Sequence, residues 1–193
     1  RHKGDLDLAI ADCDQAIALD PRDAVTYINR GAAHHDKGDY VRAIADYDQA
    51  ITLDPQEAVA YSNRGTAYYQ KGELDQAITD YDQAIALDPQ DAEAYGNRGL
   101  AYYDKGDYDR AISDFDRAIQ LSPKQSTGYY SRGLAYQGKG DFDRAIALDP
   151  EYARAFHLRG IAHEQMGDLA RAFQDFDRAL EIDPEYSDCN ILQ

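Results

Sequence analysis

Apolar and polar positions recur along this chain with a helical period. Tyr95, Gly99 and Tyr102 fall at i, i+4 and i+7, one face of a 3.6-residue helix. The spacing predicts a helix over 92–105. Gly99 has no side chain, so a second helix is expected to lie close against it. Lys105-Gly106-Asp107 then ends one helix and starts another: glycine suits the left-handed position after a helix, and Asp107 is a good N-cap. The second helix presents Ala111, Phe115, Ala118 and Ile119, small residues alternating with a ring as close helix packing prefers. Ser122-Pro123-Lys124-Gln125 reads as a capping box with proline at the first helical position. The next helix is therefore expected to begin at Pro123.

The unit 92–125 is 34 residues long, and the same pattern stands before and after it. Pro21, Pro55, Pro89 and Pro123 are 34 apart, Pro150 follows after 27, and Pro184 after 34 again. The chain divides into a half-repeat 1–23, full repeats 24–57, 58–91 and 92–125, a shortened repeat 126–152, a full repeat 153–186 and a tail 187–193. In the half-repeat, residues 1–3 read as the end of a helix, Gly4-Asp5 as the turn and 5–19 as a second helix. The tail reads as a short helical stub. A single hairpin cannot bury its apolar face; copies stacked side by side can, which is the logic of a solenoid. The seven missing residues of the short repeat correspond to one heptad. Its second helix keeps one Asp-Phe-Asp-Arg-Ala-Ile copy where 107–120 has two. The loss leaves the apolar stripe in phase to about 20° and shortens the helix by about 10 Å. A local break in the superhelix is expected over 141–150, with apolar surface of the flanking helices exposed or covered by another molecule; the alternative is a change of rod curvature there.

The 34-residue period, the Gly–Tyr first helix, the Ala–aromatic–Ala second helix and the closing proline together resemble the tetratricopeptide repeat, here with Asn-Arg-Gly at 29–31, 63–65 and 97–99. His34, His163 and Phe156 depart from the tyrosine columns without breaking register. The resemblance implies an all-α fold, a right-handed α-solenoid of antiparallel helix hairpins. It also implies an interaction scaffold whose first helices line a concave face that holds a peptide or helix of another protein.

With Tyr95, Gly99 and Tyr102 turned to the paired helix, the opposite face of the first helices lines that groove. Asn29, Asn63 and Asn97 form a column there. An amide offers two donors and an acceptor, so a row of them can read the backbone of an extended peptide without reading its sequence. This is similar to the asparagine ladder in the repeats of the O-linked N-acetylglucosamine transferase. The alternative is that the amides satisfy neighbouring helix groups. His35 lies on the same face. Tyr69, Tyr103 and Tyr130 add aromatic surface of the kind enriched at binding hot spots, or else pack between neighbouring first helices. The carboxylate clamp of heat-shock cochaperones needs lysines and arginines on this face; Val25, Ile28, Val59, Ser62, Glu93 and Thr127 stand there instead. Arg30, Arg64, Arg98, Arg132 and Arg159 form a separate column beside the packed glycines. They are expected to pair with one of two Asp rows on the second helices, as structural ion pairs; the sequence leaves the choice of row open.

Composition changes this picture in few places. The chain has 193 residues and a formal net charge of −16. That balance argues against nucleic acid, whose phosphates would be repelled, and favours neutral or basic protein partners; the alternative is that the Asp rows only keep the outer face soluble. No apolar run approaches the roughly 18 residues of a membrane span, and no signal peptide is visible, although the chain opens mid-repeat and its natural N-terminus is expected to be missing. Cys13 sits in the ring column and reads as a buried free thiol; a disulfide to Cys189 would have to join opposite ends of a rod. No phosphate loop, metal motif or nucleophile with a plausible base appears, so no catalytic residue, metal or cofactor is expected. Two other readings fit the same residues: self-association through the open N-terminal edge or the shortened repeat, and service as the targeting arm of a larger enzyme.

Overall fold

A computed structural model describes residues 3–165 and 167–184. The described residues form eleven α-helices and the turns between them. They are α1 (Lys3–Leu19), α2 (Ala24–Asp36), α3 (Tyr40–Leu53), α4 (Ala58–Gln70), α5 (Leu74–Leu87), α6 (Ala92–Asp104), α7 (Tyr108–Leu121), α8 (Ser126–Lys139), α9 (Phe142–Leu148), α10 (Ala153–Gln165) and α11 (Leu169–Ile182). From α2 onward they pair as hairpins, each hairpin packs on the next, and α1 packs on α2. The architecture is an all-α helical repeat solenoid.

Local chemistry sets the turn inside each hairpin. Gly38, Gly72, Gly106, Gly140 and Gly167 all take φ between 78° and 82°, a left-handed conformation that glycine reaches without steric cost. The next residue starts the second helix. Asp39, Asp107, Asp141 and Asp168 each accept a hydrogen bond from the backbone N–H three residues on. Glu73 holds the same place before α5 and makes no such bond.

Two boundaries differ from expectation. Helix α8 begins at Ser126, not at Pro123. The Gln125 N–H donates to the Ser122 carbonyl at 3.2 Å, which closes a β-turn with Pro123 at its second position. Pro55 and Pro89 sit in matching turns, and Asp54 and Asp88 accept there from the N–H of Gln56 and Gln90. Proline thus belongs to the turn ahead of the helix, and the N-cap is Asp23, Glu57 or Asp91. The turn expected at Gly4-Asp5 is also absent: both residues lie inside α1, and Gly4 is not among the left-handed glycines. A glycine permits that turn but does not impose it. Residues 1–2 and the tail 187–193 lie outside the described residues.

The core repeats along the rod. Tyr47, Tyr81 and Phe115 are each 1% exposed and are the largest fully buried side chains. Each ring covers a glycine of its partner helix: a Cβ at Gly31, Gly65 or Gly99 would lie 2.7, 2.9 or 2.7 Å from it. Burying one such ring stabilises a hairpin by about 1.5–3 kcal/mol. Cys13, in the same column, is only half-buried, because α1 packs on α2 alone; burial pushes its thiol up nonetheless.

In the short hairpin α8 keeps 14 residues while α9 has 7. The core does not break there. The cluster around Phe115 runs on through Ala135, Tyr136 and Ala145 to Ala155. What is lost is cover over the first half of α8, where Tyr129 and Tyr130 are 36% and 58% exposed.

Candidate functional site

The first helices α2, α4, α6 and α8 touch in sequence along the rod. Their common face carries three hollows, and each is lined by one asparagine of the column. Asn29 lines a hollow of about 470 Å³ between α1 and α2, with Leu6 and Cys13. Asn63 lines one of about 150 Å³ with His35, Asp36, Tyr47 and Thr66. Asn97 lines one of about 370 Å³ bounded by α6, α7 and α8. Among the described residues, none of the three amides is hydrogen-bonded to another protein group.

The third hollow is open because Gly96 carries no side chain. A Cβ at Gly96 would meet nothing within 4 Å; Ile28 and Ser62 hold that position in the repeats before it. Gly128, which also lines the hollow from α8, is packed by Ile119: a Cβ there would lie 2.9 Å from Ile119 Cγ1. Leu100, Phe115 and Ile119 supply apolar wall, Thr127 and Ser131 supply hydroxyls, and Glu93 is the one charged side chain in the lining. A long side chain with a cationic head fits this chemistry: its stem meets the apolar wall and its head the carboxylate.

The aromatic residues of the predicted face are placed differently. His35 packs on Tyr40 with ring centroids 5.2 Å apart, and its Nε2 is buried without a partner. The Tyr69 hydroxyl donates to Asp104 Oδ2 at 2.6 Å and so ties α4 to α6. Burial first, and that carboxylate second, push its phenol well above the usual range. Tyr103 packs edge-on to Tyr108 at 5.5 Å. Tyr130 is exposed and lies 6.4 Å from Tyr152. All three tyrosines stand outside the hollows.

The arginine column lies between the two helix layers and uses both Asp rows. Arg98 donates through Nε and Nη2 to Asp114 at 2.8 and 2.6 Å, and through Nη1 to Asp82 at 2.5 Å. Arg30 grips Asp46 and Asp14, Arg64 grips Asp80 and Asp48, and Arg159 grips Asp175 and Asp143 in the same way. One carboxylate belongs to the arginine's own hairpin and the other to the preceding helix, so each guanidinium joins two repeats. These bonds raise the arginines above their ordinary value against the pull of burial. Burial pushes the Asp114 carboxyl up, and Arg98 draws it back.

Arg132 breaks the rule. Its Nη1 bonds Asp116, but its Nε is buried without a partner. The carboxylate that answers Nε elsewhere stands sixteen residues after the arginine. Here that position is Leu148. The sixteen-residue interval was present in the sequence and would have exposed the missing partner.

Among the described residues, no group of His, Cys, Asp and Glu is placed to hold a metal ion, and no helix is long and apolar enough to cross a membrane. The TPR repeat model matches residues 1–38, 33–72, 65–106 and 99–140, and the tetratricopeptide repeat model matches 153–186. The chain belongs to the tetratricopeptide repeat family. Residues 141–152, which hold α9, fall outside both matches. Among curated proteins none matches the chain. Solved tetratricopeptide repeat structures share its fold. YrrB, a TPR protein with an unusual peptide-binding site, superposes with a TM-score of 0.76 at 24% identity, over 90% of this chain and 93% of that one. MamA gives 0.70 at 28% identity, over 88% and 97%. The first TPR of Spaghetti (RPAP3), bound to the HSP90 peptide SRMEEVD, gives 0.60 at 26% identity, over 61% and 93%. Tetratricopeptide repeat membership and this architecture make the chain a protein-interaction scaffold.

Proposed function

We propose that the chain is a noncatalytic module that holds an extended, neutral-to-basic polypeptide segment along the face formed by α2, α4, α6 and α8. The observation that carries this reading is the row of hollows, each lined by an amide with no partner of its own. Asn29, Asn63 and Asn97 bond the backbone of the segment. The hollow at Asn97 takes a lysine or arginine side chain against Glu93. His35 borders the middle hollow, and Tyr130 adds aromatic surface at the far end. The arginine column acts in this reading as structure, holding the hairpins in register.

Selection from a phage-displayed random peptide library tests it. Recovered peptides are expected to be rich in Lys and Arg. Replacing Asn29, Asn63 and Asn97 together by Ala is expected to weaken them by about tenfold or more without unfolding the chain. Gly96→Leu fills the third hollow. A helix gains from losing an interior glycine, by about 0.7–1 kcal/mol, so this variant should be at least as stable and yet bind less. Peptides held equally well by both variants would refute the groove.

A further inference from the structure

A different feature points to a second site, between the helix layers rather than on the groove. In four hairpins the glycine of the first helix is covered by a ring sixteen residues later: a Cβ at Gly31, Gly65, Gly99 or Gly160 would lie 2.5–2.9 Å from Tyr47, Tyr81, Phe115 or Phe176. In the same hairpins the preceding arginine grips an Asp immediately before that ring. The short hairpin has neither. Gly133 is itself buried, but an added Cβ there would meet nothing within 4 Å, and the ring position is Asp149, which bonds the Glu151 N–H in the turn before α10. At Arg132 the Asp position is Leu148, and Nε is left without a partner although the side chain is 15% exposed, against 18–25% for the other four. Tyr129, one turn before Gly133, is 36% exposed.

We propose that this breach binds a helix from a partner protein that carries an acidic residue followed directly by an aromatic one. The other hairpins define the occupant. The carboxylate takes Nε and Nη2 of Arg132 side by side, as Asp114 takes those of Arg98. The ring lies on Gly133 as Phe115 lies on Gly99. Asp116 already answers Nη1, so Arg132 carries one carboxylate where its counterparts carry two. An incoming acid therefore restores the charge balance found in the rest of the array.

The test is fluorescence anisotropy of a labelled peptide copying Tyr108–Leu121, which carries Asp114 and Phe115, titrated with the full chain. Saturable binding is expected. Asp114→Asn or Phe115→Ala in the peptide should weaken it by about tenfold. So should two changes in the chain: a copy of residues 113–119 inserted after Ile146, which restores the lost heptad, and Gly133→Leu, which occupies the open space and stands on its own if the insertion fails to fold. Gly96→Leu should leave it unchanged, which separates this site from the groove. Absence of saturable binding would overturn the proposal, as would undiminished binding by Gly133→Leu. Self-association of the wild-type chain that the insertion abolishes would place a second copy in the breach and overturn it as well.

Discussion

At the scale of single residues, the arginine column shows how one side chain serves two neighbours. Arg98 is half-buried between Asp114 of its own hairpin and Asp82 of the helix before it. Removing one partner of a buried pair leaves the other uncompensated, at a cost of about 3–5 kcal/mol. Arg98→Ala is therefore expected to destabilise the chain by about 3 kcal/mol in urea unfolding. The loss should depend on pH. Burial already pushes the Asp114 carboxyl up, and Arg98 is what restrains it; without Arg98 the folded-state value rises further above the unfolded one. A group raised on folding contributes stability below its unfolded value and loses it as pH rises through the folded value. The gap between variant and wild type should thus narrow between about pH 7 and about pH 4. A gap that widens on acidification would contradict this account of the pair.

At the scale of the element, hairpins close because a ring sits on a glycine, and the short hairpin shows what remains without it. Gly99→Ala pushes a methyl to 2.7 Å from the Phe115 ring, an overpacking expected to cost about 1–3 kcal/mol. Gly133→Ala meets no neighbour and is expected to stabilise α8 by about 0.5–1 kcal/mol. Thermal unfolding of the two variants should shift in opposite directions; a loss at both positions would mean that the space beside Gly133 does not accept a methyl. Helix existence, pairing and the ring–glycine contact were all legible in the sequence, because period and residue size determine them locally. Helix starts were less so. An Asp-Pro or Ser-Pro turn and a capping box share the same residue types, and only the backbone hydrogen bond from Gln125 to Ser122 separates them. The third hollow was not legible as a hollow. It rests on Gly96, where the same column carries Ile28 and Ser62, and a departure in one repeat does not announce a space between three helices.

At the scale of the whole molecule, the groove face combines side chains that periodicity reveals with side chains whose partners lie a full repeat away. The asparagine column was visible as a row, and its three members do line successive hollows. Tyr69, although on the same predicted face, spends its hydroxyl on Asp104, a bond between residues 35 apart that helical periodicity does not reveal. On the proposed reading, the acidic balance of the chain and Glu93 in the third hollow favour basic segments along this face. Amide hydrogen exchange of the full chain, with and without a peptide recovered from the library, examines the central claim most directly. Protection is predicted in α2, α4, α6 and α8, around Asn29, Asn63, Asn97 and Tyr130, with the outer faces of α3, α5 and α7 unchanged. Protection confined to those second helices would contradict it.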